Sequence, residues 1–160
     1  MAGSKNPIPE GYHAVTPYLV VRGASDAIEY YKKAFGATER FRMMSPDGKS
    51  VMHAELSIGD SIIFLSDEFP EMESKSPMSL HGSPVTIHLY VEDVDEVFNR
   101  AVSEGGTVTK PLENMFWGDR FGELKDPFGH RWSLATHVED VPPEELERRG
   151  AEAFGQCAGT

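Results

Sequence analysis

The chain has 160 residues, and its 15 basic against 26 acidic side chains give a formal net charge of −11 at pH 7. A field of this sign repels phosphate backbones and anionic membranes, so we expect neither nucleic acid nor a membrane as a partner. No run approaches the roughly 18 apolar residues of a membrane span, and the N-terminal stretch lacks the apolar core of a secretory signal, which favours a cytoplasmic protein. The single cysteine, Cys157, excludes an intrachain disulfide.

The chain repeats itself when it is shifted so that Thr16 falls on Thr86. Without any gap, this shift also aligns Leu19 with Leu89, Val21 with Val91, Gly48 with Gly118, and Gly59 with Gly129. Because such self-similarity marks one structural unit copied along a chain, both halves should fold alike. We place the first module at residues 12–68 and the second at 83–139, after an N-terminal segment at 1–11.

Each module has the same predicted order of elements. A strand ("AVTPYLVV", then "PVTIHLYV") precedes a helix whose N-cap candidate is Ser25 in the first copy and Asp95 in the second. Gly36 and Gly105-Gly106 end these helices, because glycine accepts the left-handed conformation at a helix C-terminus. Two strands joined by "SPDGKS" or "FWGDRF" follow, and a last strand begins after "IGDS" or "FGHR". The pattern predicts βαβββ twice.

The fold class is therefore α+β, with two βαβββ modules forming a cupped eight-stranded mixed sheet around a shared cleft. Whether the two halves meet within one chain or across a dimer stays open. Residues 69–82 are rich in Pro, Ser and Glu, which predicts a linker with little regular structure. Residues 140–160 predict a helix that begins near Pro142-Pro143 and a loose tail.

Several stretches of the chain resemble a known superfamily. "FGATERFRM", "VEDVDEVFNRAVSEGG" and "DPFGHRWSL" resemble the vicinal oxygen chelate proteins, the group of glyoxalase I, extradiol dioxygenases and the bleomycin- and fosfomycin-resistance proteins. "MHAEL" and "FWGDRFGELKDPFGHRW" are most similar to its PhnB-like branch. The resemblance implies a glyoxalase-like fold, a small-molecule partner and a homodimer.

The same resemblance implies where a metal would bind. Metal-dependent members hold a divalent ion with His on the opening strands and Glu on the closing strands, and the matching positions here are Thr16, Ile63, Thr86 and Ser133. Hydroxyls and an isoleucine do not hold a divalent cation against water. We therefore expect no metal site at these positions and no cofactor.

Strand alternation indicates which other side chains share a face with those positions. Ile63 should share its face with Leu65, and the third strands add His53 and Glu55, whose repeat partners in the ungapped shift are Glu123 and Lys125. Trp117, with Phe116 and Phe121, marks an aromatic hairpin that could close over a flat ligand or form a dimer contact. The predicted ligand-binding residues are Tyr18, His53, Glu55, His88, Tyr90, Trp117, Arg131 and Ser133.

Three functions remain open. The first is a metal-free protein that binds a flat or amphipathic small molecule in the cleft between the modules. The second is a lyase, isomerase or dioxygenase that acts on a small carbonyl or aromatic compound with a displaced metal or a His/Glu acid-base pair. Its candidate catalytic residues are His53, Glu55, His88 and Glu123. The third is a dimeric interaction module without a ligand of its own.

Overall fold

A computed structural model of the chain describes Gly3 and Asn6–Cys157. Its elements are, in order, β1 (Tyr18–Val21), α1 (Ala24–Phe35), β2 (Thr38–Met44), β3 (Val51–Ile58), β4 (Ser61–Asp67), a 3-10 turn (Pro70–Met72), α2 (Pro77–Leu80), β5 (Thr86–Tyr90), α3 (Val94–Ser103), β6 (Thr107–Asn114), β7 (Asp119–Lys125), β8 (Arg131–His137) and α4 (Pro143–Cys157). The α+β class and the repeated βαβββ order are confirmed.

The chain forms two compact units that part after Ser83. The first unit also includes Pro127–Gly129, and the second contains the remainder. Each unit has its own four-stranded sheet, in the order β1-β4-β3-β2 and β5-β8-β7-β6. The first strand of each module, β1 or β5, pairs in parallel with the last strand, β4 or β8, and the other strand pairs are antiparallel. The eight predicted strands thus form two mixed sheets of four.

In each unit, one sheet face packs under a helix and makes the core. In the first unit, α1 contributes Ala27, Ile28, Tyr31 and Ala34, which pack over Leu19, Val21, Ala54, Leu56 and Leu65. In the second unit, α3 contributes Val94, Phe98 and Ala101, which pack over Leu124, Trp132 and Leu134. Burial of these apolar groups is the main stabilising contribution to each unit. The opposite face of each sheet, which we call its open face, presents exposed side chains such as Tyr18 in the first unit and Tyr90 in the second.

Both predicted N-caps are wrong by two residues. The helix α1 begins directly after Gly23, which has a positive φ of 90°, and the Asp67 carboxylate accepts hydrogen bonds from the amides of Gly23 (3.0 Å) and Ala24 (2.8 Å). The Asp67 side chain of β4 therefore accepts the hydrogen bonds from the helix N-terminus that Ser25 was expected to accept. In α3 the cap is Asp93, whose side chain accepts from the amide of Glu96 at 3.0 Å.

The linker is more regular than its composition predicts. It contains the 3-10 turn and α2, and Phe69 pairs with Ser74 in an isolated β-bridge. Glu68 fixes its position, since the carboxylate accepts from Arg22 Nε (2.7 Å), the Ser76 amide (2.9 Å) and Ser79 Oγ (2.7 Å). Hydrogen bonds to the Glu68 carboxylate therefore order a segment whose sequence has no periodic pattern.

The C-terminal helix is confirmed, and the predicted tail beyond it lies outside the described residues. Arg149 ties α4 to the chain before it, because its guanidinium donates to Glu139 at 2.8 and 3.0 Å and to Glu145 at 2.8 Å. Phe116 of the aromatic hairpin contacts Phe154 and Gly150 of this helix. One side of the hairpin is therefore covered by the chain itself.

The tight packing of Gly122 against the α3 side chain Phe98 gives a stability test. A Cβ at Gly122 would lie 2.8 Å from Phe98 Cε2, whereas a Cβ at Gly150 would lie 3.5 Å from Phe116 Cε2. We expect Gly122→Ala to lower the free energy of unfolding by about 1–3 kcal/mol through overpacking. Gly150→Ala, the matched control, should leave it unchanged or raise it by up to about 1 kcal/mol through helix propensity. Urea denaturation measures both, and an unchanged Gly122→Ala variant would contradict the packing.

Candidate functional site

The open face of the first sheet differs from its prediction by one residue in β4. Tyr18 pairs with Phe64, and Leu19 pairs with Leu65. Phe64 therefore shares the open face with Tyr18, and their rings meet edge to face at 5.7 Å. Ile63 and Leu65 lie on the helix side, 4% and 0% exposed. The expectation that Ile63 faces the open side is corrected, and Phe64 takes that place.

Turns of unequal length explain why the predicted alternation of β4 is wrong by one residue. In the first module a tight turn at Gly59-Asp60 joins β3 to β4, whereas in the second the longer stretch from Asp126 to His130 joins β7 to β8. The hairpins after β2 and β6 also differ. An ungapped shift cannot follow such insertions, and one residue of slip moves a strand side chain to the other face. The structural counterpart of Glu55 is Glu123. The ungapped shift had instead matched His53 with Glu123 and Glu55 with Lys125, and both matches are wrong.

The positions that would hold the superfamily's divalent ion do not fit one. Thr16 precedes the start of β1, Thr86 is the first residue of β5, and Ser133 is buried with its Oγ 2.7 Å from His88 Nδ1. Phe64, which replaces Ile63 on the open face, has no donor atom. Among Gly3 and Asn6–Cys157, no three His, Cys, Asp or Glu side chains gather as a metal ion requires.

A layer of rings surrounds one carboxylate on the first open face. His53 contacts Phe64 at 4.9 Å and Tyr18 at 5.5 Å between ring centroids. Tyr18 and His53 also share a hydrogen bond of 2.9 Å, and His53 Nε2 lies 3.3 Å from Glu55 Oε1. The Tyr12 hydroxyl donates to Glu55 and holds the pKa of that carboxyl below its usual value, against the opposing effect of burial. Predicted residues His53 and Glu55 are thus brought together.

A groove adjoins this ring layer at the edge of β1. Its volume is about 440 Å³. The walls come from β1, β3, β4 and the linker, and the lining residues are Tyr18, Val20, Met52, Ser66, Phe69, Met72 and Ser74. Sequence analysis missed the linker's contribution, because a Pro- and Ser-rich stretch has no periodicity that predicts the wall of a groove.

The second open face contains two separate polar clusters. In the first, Lys110 Nζ (3.0 Å) and Arg131 Nη2 (3.3 Å) both donate to Glu123. His88 lies in the same row of the sheet, because it pairs with Ser133 and Ser133 pairs with Glu123. The predicted residues His88, Ser133, Glu123 and Arg131 therefore do lie together on one face.

The second cluster centres on Asp119, which the sequence analysis missed. Its buried carboxylate accepts from Tyr90 Oη (3.0 Å) and Trp117 Nε1 (3.1 Å), and it lies 2.8 Å from His137 Nδ1. Burial opposes ionisation of Asp119, but these hydrogen bonds outweigh it and lower the pKa of the carboxyl. Strand alternation could have found it, since Asp119, Phe121 and Glu123 recur at every second position of β7. The aromatic residues Tyr90 and Trp117 are thus held by a shared acid.

His137 lies between two carboxylates. Its Nε2 is 2.8 Å from Asp140 Oδ1, and its Nδ1 faces Asp119. The contact with Asp140, and then that with Asp119, raises the pKa of His137 above its ordinary value.

The comparisons with known proteins place this geometry in a family. Residues 12–134 match the model of the Glyoxalase/Bleomycin resistance protein/Dioxygenase superfamily. The uncharacterized protein Rv0887c of Mycobacterium tuberculosis is 48% identical over 137 residues, which cover 84% of this chain and 80% of that protein. The crystal structure of the Arabidopsis thaliana At5g48480 product has a TM-score of 0.63 at 28% identity, covering 78% of this chain and 98% of its own.

A second solved structure is similar in fold alone. It is described as a putative 3-demethylubiquinone-9 3-methyltransferase, PhnB protein, from Bacillus cereus, and it has a TM-score of 0.60 at 19% identity, covering 78% of this chain and 99% of its own. The chain belongs to the glyoxalase, bleomycin-resistance and dioxygenase superfamily, and the resemblance stated from its sequence is confirmed. None of the helices among the described residues is long and apolar enough to cross a membrane.

His137 gives a pH test of the second cluster. Because its pKa is raised in the folded chain, its charged contacts stabilise the fold fully below the unfolded value of about 6.5 and lose that effect as the pH rises through the folded value. We expect the loss of unfolding free energy in His137→Gln to be largest near pH 5.5 and to shrink toward pH 8.5. His13→Gln, at an exposed residue outside the strands, is the control. A pH-independent loss in His137→Gln would refute the assignment.

Proposed function

We propose that the chain binds a small, flat or amphipathic molecule on the open face of its first module, with no metal ion in the binding step. The observation that carries the proposal is the groove of about 440 Å³ beside the ring layer. Ligand pockets of proteins typically measure about 300–1,000 Å³, and they combine apolar walls with a few polar groups. The groove meets both conditions.

The groove walls suit an apolar ring. Met72 is 70% exposed and Tyr18 is 50% exposed, so a ligand that covers them removes apolar surface from water. Methionine side chains adapt their shape to a ligand, and an aromatic ring stacks on a flat one. Ser66 and Ser74 supply hydroxyls at the same walls, which can orient a polar group of the ligand.

The linker wall is held firmly enough to serve as part of a site. The Glu68 carboxylate accepts hydrogen bonds from the Ser76 hydroxyl and amide, the Ser79 hydroxyl and the Arg22 guanidinium. Together these hydrogen bonds lower the pKa of the Glu68 carboxyl to about 2. The carboxylate therefore stays ionised at every physiological pH, and the linker keeps its anchor. A wall that is already placed loses less conformational entropy when the ligand binds.

The His53–Glu55 pair supports a second candidate, a proton-transfer enzyme acting on a small carbonyl or aromatic compound. A carboxylate beside an imidazole can orient it and stabilise its charged form. Both ring nitrogens of His53 already have partners, Tyr18 and Glu55. A substrate must therefore displace Tyr18 before His53 can accept its proton, which makes ligand binding the simpler role of this face.

We also propose that the chain is a homodimer in the cytoplasm, as its superfamily membership suggests. Light scattering of the purified protein at several concentrations measures the assembly. A monomer at every concentration would remove the dimeric interaction module from the alternatives.

A neutral fluorescent ring tests the proposed binding site. We expect 1-aminoanthracene to bind saturably, and Tyr18→Ala combined with Met72→Ala to weaken its affinity by about tenfold or more, because two exposed apolar walls are lost. Met78→Ala is the matched control, since Met78 is also exposed and in the linker but does not line the groove. The affinity of the Met78→Ala variant for 1-aminoanthracene should stay within about twofold of that of the unsubstituted protein.

Two results would contradict the proposal. One is the absence of saturable binding by this probe and by a panel of neutral aromatic compounds. The other is an equal loss of affinity in Met78→Ala, which would show that the probe binds elsewhere. Turnover of a bound carbonyl compound that disappears in His53→Gln would favour the enzyme instead.

A further inference from the structure

A pair of basic side chains on the second open face is held in place by a buried acid. The Glu123 side chain is 11% exposed, whereas those of Lys110 and Arg131 are 59% and 42% exposed. The acid therefore lies beneath, and the two cations extend from it toward solvent. Their positions are fixed before any ligand arrives, which is the condition for a preorganised site.

Most hydrogen-bond donors of this pair remain available. In the part of the chain that the structure describes, each cation gives Glu123 one hydrogen bond. An ammonium group carries three N–H donors and a guanidinium carries five. Both cations therefore keep donors with which a second acceptor can form hydrogen bonds while their bonds to Glu123 stay in place.

The charge at this end of the face is positive, although the chain as a whole is negative. Lys125 lies on the same side of β7 as Glu123, two residues along the strand, and it is exposed. Three cations and one carboxylate lie at this end of the face, and the acid of β6, Glu113, pairs with Phe121 in the next row. The chain as a whole has a formal net charge of −11. Such a local reversal attracts an anion to this end of the sheet.

Rings occupy the next part of the same face. His88 stacks on Phe121 at 6.2 Å with 18° between their planes, and it meets Tyr90 edge to face at 4.5 Å. Phe121 and Tyr90 both pair with Ala135, so their rings lie one row from Glu123, whereas His88 lies in the row of Glu123 itself. The Asp119 carboxylate lies beyond the rings and repels a second negative group there.

We infer that this face binds aromatic monocarboxylates, with the carboxylate on Lys110 and Arg131 and the ring against His88, Tyr90 and Phe121. Arginine matches a carboxylate with two parallel hydrogen bonds, and lysine adds a point charge. Asp119 selects against a molecule with anionic groups at both ends. The site lies in the second module and does not depend on the groove proposed above.

Phenylacetate and phenylacetamide test the charge requirement, because the two probes share a ring and differ by the carboxylate. We expect isothermal titration to show that phenylacetate binds at least about tenfold more tightly than the amide. Raising the salt concentration should weaken the acid and leave the amide unchanged. Equal binding of both probes, or no binding of either, overturns the inference.

Substitutions of single lysine residues test where the carboxylate of phenylacetate binds. Lys110→Gln keeps Glu123 paired with Arg131, so the fold should survive, and we expect phenylacetate affinity to fall by about fivefold to tenfold while Lys110→Arg restores it. Lys49→Gln is the matched control, since it removes the same charge from an exposed hairpin of the first module. An equal loss in Lys49→Gln would mean that net charge alone attracts the probe and would overturn the inference.

The two proposals fail separately. Met72→Ala should leave phenylacetate binding unchanged, because Met72 lies in the linker, which belongs to the first compact unit. If 1-aminoanthracene binds and phenylacetate does not, the groove stands and the anion site is refuted. If phenylacetate binds and loses affinity in Lys110→Gln while 1-aminoanthracene does not bind, the anion site stands and the groove proposal is refuted.

Discussion

The register of strand pairing decides which side chains each sheet presents on its open face. The outer strands β1 and β5 pair in parallel with β4 and β8, and this pairing sets Phe64 beside Tyr18 and Ser133 beside His88. A one-residue slip in either pair would turn these side chains toward the helix and expose the core. Both candidate sites therefore depend on the burial that holds β4 and β8 in place.

The two modules share an acid on the open face of the sheet but differ in what surrounds it. Glu55 and Glu123 occupy matching positions in their sheets, since Glu55 pairs with Phe64 and Glu123 pairs with Ser133. The first acid receives a tyrosine hydroxyl among rings, and the second receives two basic side chains. One fold thus presents an apolar face and a locally basic face, and the ligands that fit them differ accordingly.

The sequence predicted the order of elements because glycine-bounded helices and alternating strands depend on local spacing. It also brought His53 together with Glu55, since residues two apart on a strand share a face. It failed where a longer turn changed the offset between the modules, which misplaced Ile63. It also missed Asp119, Glu68 and the linker wall, whose roles come from contacts between residues far apart in the chain.

We propose that the first open face binds its ligand without a divalent ion. The test is a titration of 1-aminoanthracene into protein dialysed against a chelator, and then into the same protein supplied with Mn²⁺ or Ni²⁺. We expect dissociation constants that agree within about twofold in all three samples. Binding that disappears after chelation and returns with one of the ions would contradict it.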